Sequence, residues 1–297
     1  MSAGPVELAE TPGLGRLYAR GVAGSVAAIG RTVTVSPDDL PDDVLQVRAV
    51  RPDADHLTAY QQLVGEPVSD VLPAGFVHVL AFPVATALMV RSVPLPLLGM
   101  VHLANRVTQH RPLRLGEAID LRAHVTDLRT HRRGVSLDVV AEALADDDVV
   151  WRGVSTYLAK GARIAGDPAD VPDADRPDFT PPAPTGLWHL TADVGRRYAG
   201  VSGDRNPIHT SRLAARAFGF PRRIAHGMYT AARALADVGP SVRGEAFDWA
   251  VEFARPVLLP STVAVRIAPA DDADGYAVAA WNQRSGKPHL TGSVHRR

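Results

Sequence analysis

Hydrophobic and polar positions follow the same order of patterns twice along the chain. In the first half, the segment from Pro73 to Met89 is apolar on most faces, which predicts a buried helix that Pro83 starts or kinks. Segments with alternating apolar and polar residues come next, and a period of two predicts strands. These segments are AIDLRAHVTDL, VSLDVVAEAL and VVWRGVSTYLAK.

The second half repeats this order. HGMYTAARALADV, from His226 to Val238, is predicted to be a helix, and the strand-like segments WAVEFARPVLL, TVAVRIAPA, YAVAAWNQ and HLTGSVH follow it. Between the halves, residues 161–186 are rich in Pro and Asp and lack apolar periodicity, as is typical of an extended connector. We therefore predict a diverged internal repeat, with units at residues 1–160 and 187–297 joined by a linker at 161–186.

Composition narrows the classes of function. A chain of 297 residues is long enough for two domains of about 150 residues. Its 32 basic and 32 acidic residues balance, so no overall field favours nucleic acid or an anionic membrane as a partner. The absence of cysteine excludes a disulfide framework, a thiolate nucleophile and cysteine-ligated zinc.

The membrane and secretory signals are weak. No apolar stretch is expected to reach the roughly 18 residues that span a bilayer. The apolar run from Val22 to Ile29 is short, is interrupted by glycine and lacks a secretory layout. The sequence therefore predicts a soluble, cytoplasmic protein without membrane insertion.

The segment VSGDRNPIHTSRLAARAFGFPRRIAHGM, from Val201 to Met228, concentrates the candidate chemistry. A turn at Asp204 leads into Asn206-Pro207, which favours extended or turn backbone before the proline. Asp204 and His209 lie on either side of this bend, so a rigid bend can direct both side chains at one site. Taken alone, an Asp before Asn-Pro is more often a simple turn residue.

The remainder of this segment predicts two helix starts. Thr210 or Ser211 can cap a short helix that runs through Ala217, with Gly219 as its C-terminal stop. The central helix of the second half then begins near Gly227. A helix start exposes unpaired backbone amides and the positive end of the helix dipole, and glycine lets a ligand approach that backbone closely.

The residues from Tyr198 to Met228, YAGVSGDRNPIHTSRLAARAFGFPRRIAHGM, resemble the signature of MaoC-like (R)-specific enoyl-CoA hydratases, the type 2 hydratases, which have the hot-dog fold. The whole chain is similar to actinobacterial double-hot-dog (3R)-hydroxyacyl-thioester dehydratases, in which only the C-terminal repeat keeps the signature. The resemblance implies an α+β double hot-dog, with two antiparallel sheets each wrapped around a central helix and paired within one chain. It leaves both a monomer and a homodimer open.

The resemblance also implies a reaction. It is the reversible hydration of trans-2-enoyl thioesters, or dehydration of (3R)-3-hydroxyacyl thioesters, in fatty acid metabolism. Asp204 and His209 would jointly hold the water, and the amide of Gly227 would bind the negative charge on the thioester oxygen. No metal or separate cofactor is expected, since CoA or the phosphopantetheine of acyl carrier protein is part of the substrate.

Seven further residues are expected to bind substrate or to support the site. Asn206 would brace the loop, Tyr198 would pack against it, and Ser202 would serve the turn. His226 is expected to cap or pack rather than to react. The Arg222-Arg223 pair would meet the phosphates of CoA or an acidic face of a carrier protein, with plain solvated surface as the alternative. The seven are Tyr198, Ser202, Asn206, Arg222, Arg223, His226 and Met228.

The first half lacks the signature. It offers Asp70 without a following Asn-Pro-x-His, which leaves His78 without an evident catalytic partner. This repeat is therefore predicted to be catalytically silent and to form a groove for the acyl chain. The groove residues, for which ordinary core is the alternative, are Val77, Leu80, Val84 and Leu88.

Other functions have less support. GVSGD is not a G-x-S-x-G nucleophile elbow, and a metal site made by Asp204, His209 and His226 lacks a spaced helical histidine pair. Ser211 stands where many relatives carry an acid, which leaves both proposed catalytic groups in place. The alternatives that stay open are a non-catalytic acyl-thioester-binding or scaffolding subunit and a hot-dog thioesterase.

Overall fold

The computed structural model describes residues 4–18, 32–97, 99–167, 178–270 and 274–297. A short helical turn at residues 14–18 and a 3₁₀ turn at Pro37–Asp39 precede the longer helices. These are α1 (Ala54–Val64), α2 (Ala74–Ser92), α3 (Val194–Ser202), α4 (Pro207–Thr210), α5 (Arg212–Ala217), α6 (Gly227–Val238) and α7 (Pro240–Arg243).

Strands make up most of the remaining described chain. They are β1 (Val6–Glu7), β2 (Thr34–Val35), β3 (Leu45–Val50), β4 (Val71–Leu72), β5 (Val101–Gln109), β6 (Leu113–Arg114), β7 (Ile119–His131), β8 (Gly134–Ala145), β9 (Asp148–Lys160), β10 (Arg163–Ile164), β11 (Gly186–Leu190), β12 (Phe247–Phe253), β13 (Ser261–Pro269), β14 (Gly275–Asn282) and β15 (Pro288–Arg296).

Eleven strands form one continuous sheet in the order β1-β3-β7-β8-β9-β5-β12-β15-β14-β13-β11. Strands of the first half occupy one side and strands of the second half the other. The two sides meet edge to edge where β5 pairs antiparallel with β12, with Val107 opposite Trp249. The α+β double hot-dog is confirmed, and its two sheets are joined through backbone hydrogen bonds into one, which removes an exposed edge from each half.

The predicted helix of the first half is confirmed as α2, which contains Pro83 in its interior rather than at its start. α2 packs on strands β3, β7, β8 and β9. Three of the four predicted groove residues, Val77, Val84 and Leu88, are fully buried in the core, and Leu80 packs against that core. The groove assignment is therefore wrong and the core alternative is right, because packing on the sheet takes up this face of the helix.

α2 also corrects the expectation about apolar stretches. Its 19 residues are long and apolar enough, by length and composition, to cross a membrane. In the folded chain 72% of the most apolar window is buried inside the protein. The central helix of a protein core can be as long and as apolar as a membrane-spanning helix. α2 is such a core helix, because most of it is buried in the first half.

The helix of the second half is confirmed as α6, with His226 as its N-cap residue. α1, from the first half, packs against both α3 and α6 of the second half. A buried ion pair joins the halves at the end of these helices, with the Arg243 guanidinium 2.9 Å from the Glu66 carboxylate. Removing either partner would leave a buried charge without compensation, which is costly.

The predicted linker is described only in part, since residues 168–177 lie outside the described residues. β10 ends at Ile164 and β11 begins at Gly186, so the segment between the last strand of the first half and the first strand of the second coincides closely with the predicted connector. The boundaries at 160 and 187 stay predictions.

Candidate active site

The loop after α3 positions Asp204. α3 ends at Ser202, and Gly203 follows in the left-handed region with φ 71°, a conformation that glycine adopts without strain. The Asp204 amide donates to Ser202 Oγ at 3.2 Å, and the Asn206 amide donates to Asp204 Oδ1 at 3.1 Å. Asp204 is thus the turn residue that its sequence context predicted, and its second carboxylate oxygen is left to face the site.

The next turn holds His209. Asn206 caps α4 through a hydrogen bond from the Ile208 amide to its Oδ1 at 3.4 Å. His209 is 8% exposed, and its Nδ1 lies 2.9 Å from the Ile224 carbonyl oxygen. Because a carbonyl only accepts, Nδ1 carries the proton and Nε2 is left as an acceptor.

A glycine in α3 permits this packing. A Cβ on Gly195 would lie 2.4 Å from the backbone oxygen of His209, closer than any real contact. The helix that ends at the Asp204 loop therefore rests directly on the backbone that carries His209. The later part of the segment also follows the sequence prediction, because Ser211 Oγ caps α5 by accepting from the Ala214 amide at 3.3 Å.

His226 completes the cluster. Its Nε2 donates to the Asp204 carbonyl oxygen at 3.0 Å and lies 3.7 Å from Asp204 Oδ2. Its ring stacks on that of His209, with centroids 3.6 Å apart, and also contacts the Tyr198 ring at 4.9 Å. His226 is 3% exposed. These contacts are those of a packing residue, and the Tyr198 ring lies against the His226 ring.

The electrostatics favour an ionised carboxylate beside two neutral imidazoles. Burial lowers the pKa of His209, although the Asp204 charge and the Ile224 carbonyl oppose this. Burial, followed by the nearby His209, lowers the pKa of His226 to about 3. Burial by itself would raise the pKa of Asp204, but His226, His209 and hydrogen bonds from Tyr18 and Asn206 outweigh it and lower that pKa.

The start of α6 supplies a free backbone donor. Within the part of the chain that the structure describes, the Gly227 amide donates to no acceptor, as expected for the first amide of a helix. A Cβ at Gly227 would lie 3.1 Å from the Phe253 ring, so this glycine also lets β12 approach the helix start. Gly227 and the buried Met228 both line the cavity described next.

These groups line a cavity of about 750 Å³. This volume is typical of a site for a small-molecule ligand. Asp204, His209 and Gly227 line one part of it. The first half lines another part with a face of α2 that is rotated away from the predicted groove face. The residues on this face are His78, Val79, Phe82, Thr86 and Met89.

Sequence reasoning missed three residues of the cavity wall. Tyr18 donates to Asp204 Oδ1 at 2.5 Å. His102 stacks on Tyr157, with centroids 4.6 Å apart, and burial lowers the pKa of His102 to about 3. None of the three belongs to a local motif. His102 and Tyr157 lie on strands β5 and β9, and Tyr18 lies in the N-terminal segment. Only the tertiary structure brings the three residues to the site.

The predicted arginine pair does not meet the cavity. In the described part of the chain, neither Arg222 nor Arg223 lines it, and Arg222 donates to the Pro260 carbonyl oxygen at 3.4 Å. The cations along the cavity wall include Arg133, Lys160 and Arg255. A contact between substrate phosphates and the predicted pair stays a prediction.

Asp204, His209 and His226 offer ligand atoms that all lie within 4.8 Å of one another. This spacing alone would suit a metal ion. However, His226 Nε2 and His209 Nδ1 already face backbone carbonyls, and the two rings stack face to face. The nitrogens in these hydrogen bonds are therefore not available to an ion, and a tetrahedral site would have to form from the remaining lone pairs.

Comparison with known protein families gives two matches. Residues 175–283 match the MaoC like domain, and residues 69–149 match the dehydratase domain region of the FAS1-like family. The first match contains all the residues of the Asp204 cluster, and the second contains α2 and strands β5 to β8.

Among curated proteins, 3-hydroxyacyl-thioester dehydratase X of Mycobacterium tuberculosis is 35% identical over 93% of this chain and 95% of its own length. A 3-hydroxybutyryl-CoA dehydratase of Methylorubrum extorquens is 36% identical over 25% of this chain and 49% of its own length.

Solved structures agree with these matches. The crystal structure of HtdX from Mycobacterium tuberculosis superposes with a TM-score of 0.75 at 33% identity, covering 86% of this chain and 100% of that chain. A second protein of that organism, described as having a double hotdog fold, superposes with a TM-score of 0.55 at 16% identity over 88% of this chain and 98% of its own. The second likeness concerns the fold alone.

Proposed function

Because the chain belongs to the MaoC-like dehydratase family and is therefore a hydro-lyase, we propose that it interconverts (3R)-3-hydroxyacyl thioesters and trans-2-enoyl thioesters. One observation carries the proposal. A carboxylate, a neutral imidazole with a free acceptor nitrogen and a helix-start amide without an acceptor line the same part of one cavity. These are the three kinds of group that the reaction requires.

In the direction of hydration, Asp204 and His209 hold a water molecule for addition to C3 of the enoyl thioester. The water loses a proton to this pair, its oxygen bonds to C3, and the electron pair of the double bond moves toward the thioester carbonyl. C2 then accepts a proton from the pair. Dehydration is the reverse, and the two groups titrate as one unit.

Negative charge builds on the thioester oxygen during both directions. The Gly227 amide, at the positive end of the α6 dipole, donates a hydrogen bond to it. One such preorganised donor typically lowers the barrier by about 3 to 4 kcal/mol, and general acid-base catalysis contributes about 10²- to 10⁴-fold. The amide and the Asp204-His209 pair therefore contribute effects of similar size.

The chemistry needs neither a metal nor a redox cofactor, because protons and an enolate-like charge are all that it moves. In this proposal, the first half contributes residues that line the cavity and contributes no catalytic residue. Asp70, the acid that its sequence offers, pairs with Arg114 at 3.1 Å and is 59% exposed, and it is not among the described residues that line the cavity. The α2 face from His78 to Met89 would line the path of the acyl chain.

The carrier is CoA or acyl carrier protein, both of which present the same phosphopantetheine thioester. Purified protein should hydrate a trans-2-enoyl-CoA, which is detected as loss of the conjugated thioester absorbance. The product should be the (3R)-3-hydroxyacyl-CoA. The assay is repeated with the same acyl group on acyl carrier protein. The ratio of the two kcat/KM values identifies the preferred carrier.

The assay also distinguishes the alternatives. Release of free thiol without a 3-hydroxy product would indicate a thioesterase. Binding of acyl thioesters with neither reaction, across short and long chains on both carriers, would indicate a non-catalytic subunit and would overturn the proposal.

A further inference from the structure

The N-terminal segment reaches the carboxylate at the centre of the site. The Tyr18 hydroxyl donates to Asp204 Oδ1 at 2.5 Å across 186 positions of sequence, and Tyr18 lines the cavity. Both family matches begin after this segment, at residues 69 and 175. The contact therefore comes from a part of the chain that lies outside the domains shared with those families.

Two further contacts hold this segment in place. β1 pairs parallel with β3, with Val6 opposite Leu45. Leu14 packs on the loop that carries the carboxylate, so closely that a Cβ on Gly203 would lie 2.6 Å from Leu14 Cδ1. The chain thus crosses the Asp204 loop at Leu14 and again one helical turn later at Tyr18.

The two oxygens of Asp204 have different surroundings. Oδ1 accepts from the Tyr18 hydroxyl and from the Asn206 amide. Oδ2 lies 3.7 Å from His226 Nε2 and, among the described residues, accepts no hydrogen bond. Two donors therefore fix Oδ1, and the other oxygen keeps its lone pairs for a ligand in the cavity.

We propose that Tyr18 is a positioning residue, which clamps Oδ1 of Asp204 so that Oδ2 is the oxygen that works on the substrate water. The role of that water rests on the proposed function. The hydrogen bond between Tyr18 and Asp204 does not depend on it. The Asn206 amide alone would leave the carboxylate free to rotate between its two oxygens. With the hydroxyl in place, rotation would break two hydrogen bonds.

The clamp predicts a change in pH dependence, because several groups set the pKa of Asp204. A donated hydrogen bond stabilises the ionised carboxylate, so loss of the Tyr18 hydroxyl raises this pKa toward its usual range. A variant without this hydroxyl keeps the other titratable side chains around Asp204. They are His209, His226, Tyr198, Tyr157, His78 and His102.

The full-length Tyr18→Phe variant keeps the ring and removes only the hydroxyl. We expect the acid limb of its kcat/KM profile to move up by about one pH unit, a tenfold change in proton affinity, with a lower kcat at the plateau. Leu14→Ala is the matched control, since it loosens the same segment and keeps the hydroxyl, and its acid limb should stay in place. An unchanged acid limb in Tyr18→Phe, or an equal move in both variants, would overturn the proposal.

A second measurement does not depend on activity. Thermal unfolding of the wild type, Tyr18→Phe, Asp204→Ala and the double variant forms a mutant cycle. The clamp predicts that Tyr18→Phe lowers Tm in the wild-type background and has a clearly smaller effect in the Asp204→Ala background. Additive shifts would overturn the clamp. A wild type that shows the coupling but no hydration of any enoyl thioester would instead contradict the proposed function alone.

Discussion

The imidazole of His226 stacks on that of His209 with centroids 3.6 Å apart and an interplanar angle of 25°. One ring belongs to the N-cap residue of α6 and the other to α4, so their contact fixes the helix start that carries the Gly227 amide against the turn that carries the proposed catalytic imidazole. Two charged rings at this distance would repel each other, and burial lowers the pKa of each ring, which keeps both neutral near pH 7. His226 thus holds the proposed oxyanion donor in line with the proposed acid-base pair.

His226→Ala should lower both stability and activity. The substitution removes the hydrogen bond to the partly buried Asp204 carbonyl oxygen, and leaving a buried acceptor unpaired typically costs about 1–3 kcal/mol. Urea unfolding of the purified variant measures the loss. kcat should fall while KM for the substrate changes little, and a variant as stable and as active as the wild type would contradict the alignment role.

Gly195→Ala tests the contact between α3 and the His209 backbone. Its Cβ would lie 2.4 Å from the His209 oxygen, so the two helices must separate, and both Tm and kcat should fall although no catalytic group has changed. Gly200→Ala, in the same helix, is the matched control because a Cβ there meets nothing within 4 Å. It should be neutral or stabilising by up to about 1 kcal/mol. Equal effects of the two substitutions would refute the packing argument.

Stability should fall in mild acid. The pKa of His226 is about 3 and that of His78 about 4 in the folded chain, against about 6.5 in the unfolded chain. Between these values the unfolded state binds more protons, so the free energy of unfolding decreases as pH falls below 6.5, by up to about 1.4 kcal/mol per pH unit for each histidine. Thermal melts at pH 7.5, 6.5 and 5.5 measure this, and an unchanged Tm would be evidence against buried neutral histidines.

The acyl path can be tested at the far end of the α2 face. Met89 lines the cavity and is 3% exposed, so Met89→Trp should shorten the space for a chain. We expect KM for a long-chain enoyl thioester to rise about tenfold or more, with little change for a four-carbon substrate. Arg91→Trp, an exposed position outside the lining, serves as the control. If Met89→Trp changed the KM values of the long-chain and four-carbon substrates equally, the acyl chain would not lie along this face of α2.

Local signals in the sequence were sufficient for the Asp204 and His209 turn. Asx-Pro geometry and helix caps involve residues a few positions apart, and the structure forms the predicted turn and caps. The face of α2 that meets the cavity was predicted wrongly, because an all-round apolar helix carries no signal for its rotation and only packing on β3, β7 and β8 sets it. Tyr18 could not be predicted at all, since its partner lies 186 positions away and no periodic pattern records the contact.

The central claim is that the Asp204 carboxylate, together with His209, activates water. Asp204→Asn retains the shape and the acceptor for Tyr18 but removes the base, so it tests the claim most directly. With a trans-2-enoyl thioester that the wild type hydrates, we predict a fall in kcat of at least about 10²-fold, a similar fall for His209→Ala, and a wild-type circular dichroism spectrum for Asp204→Asn. A folded Asp204→Asn protein with near-normal kcat would contradict the claim.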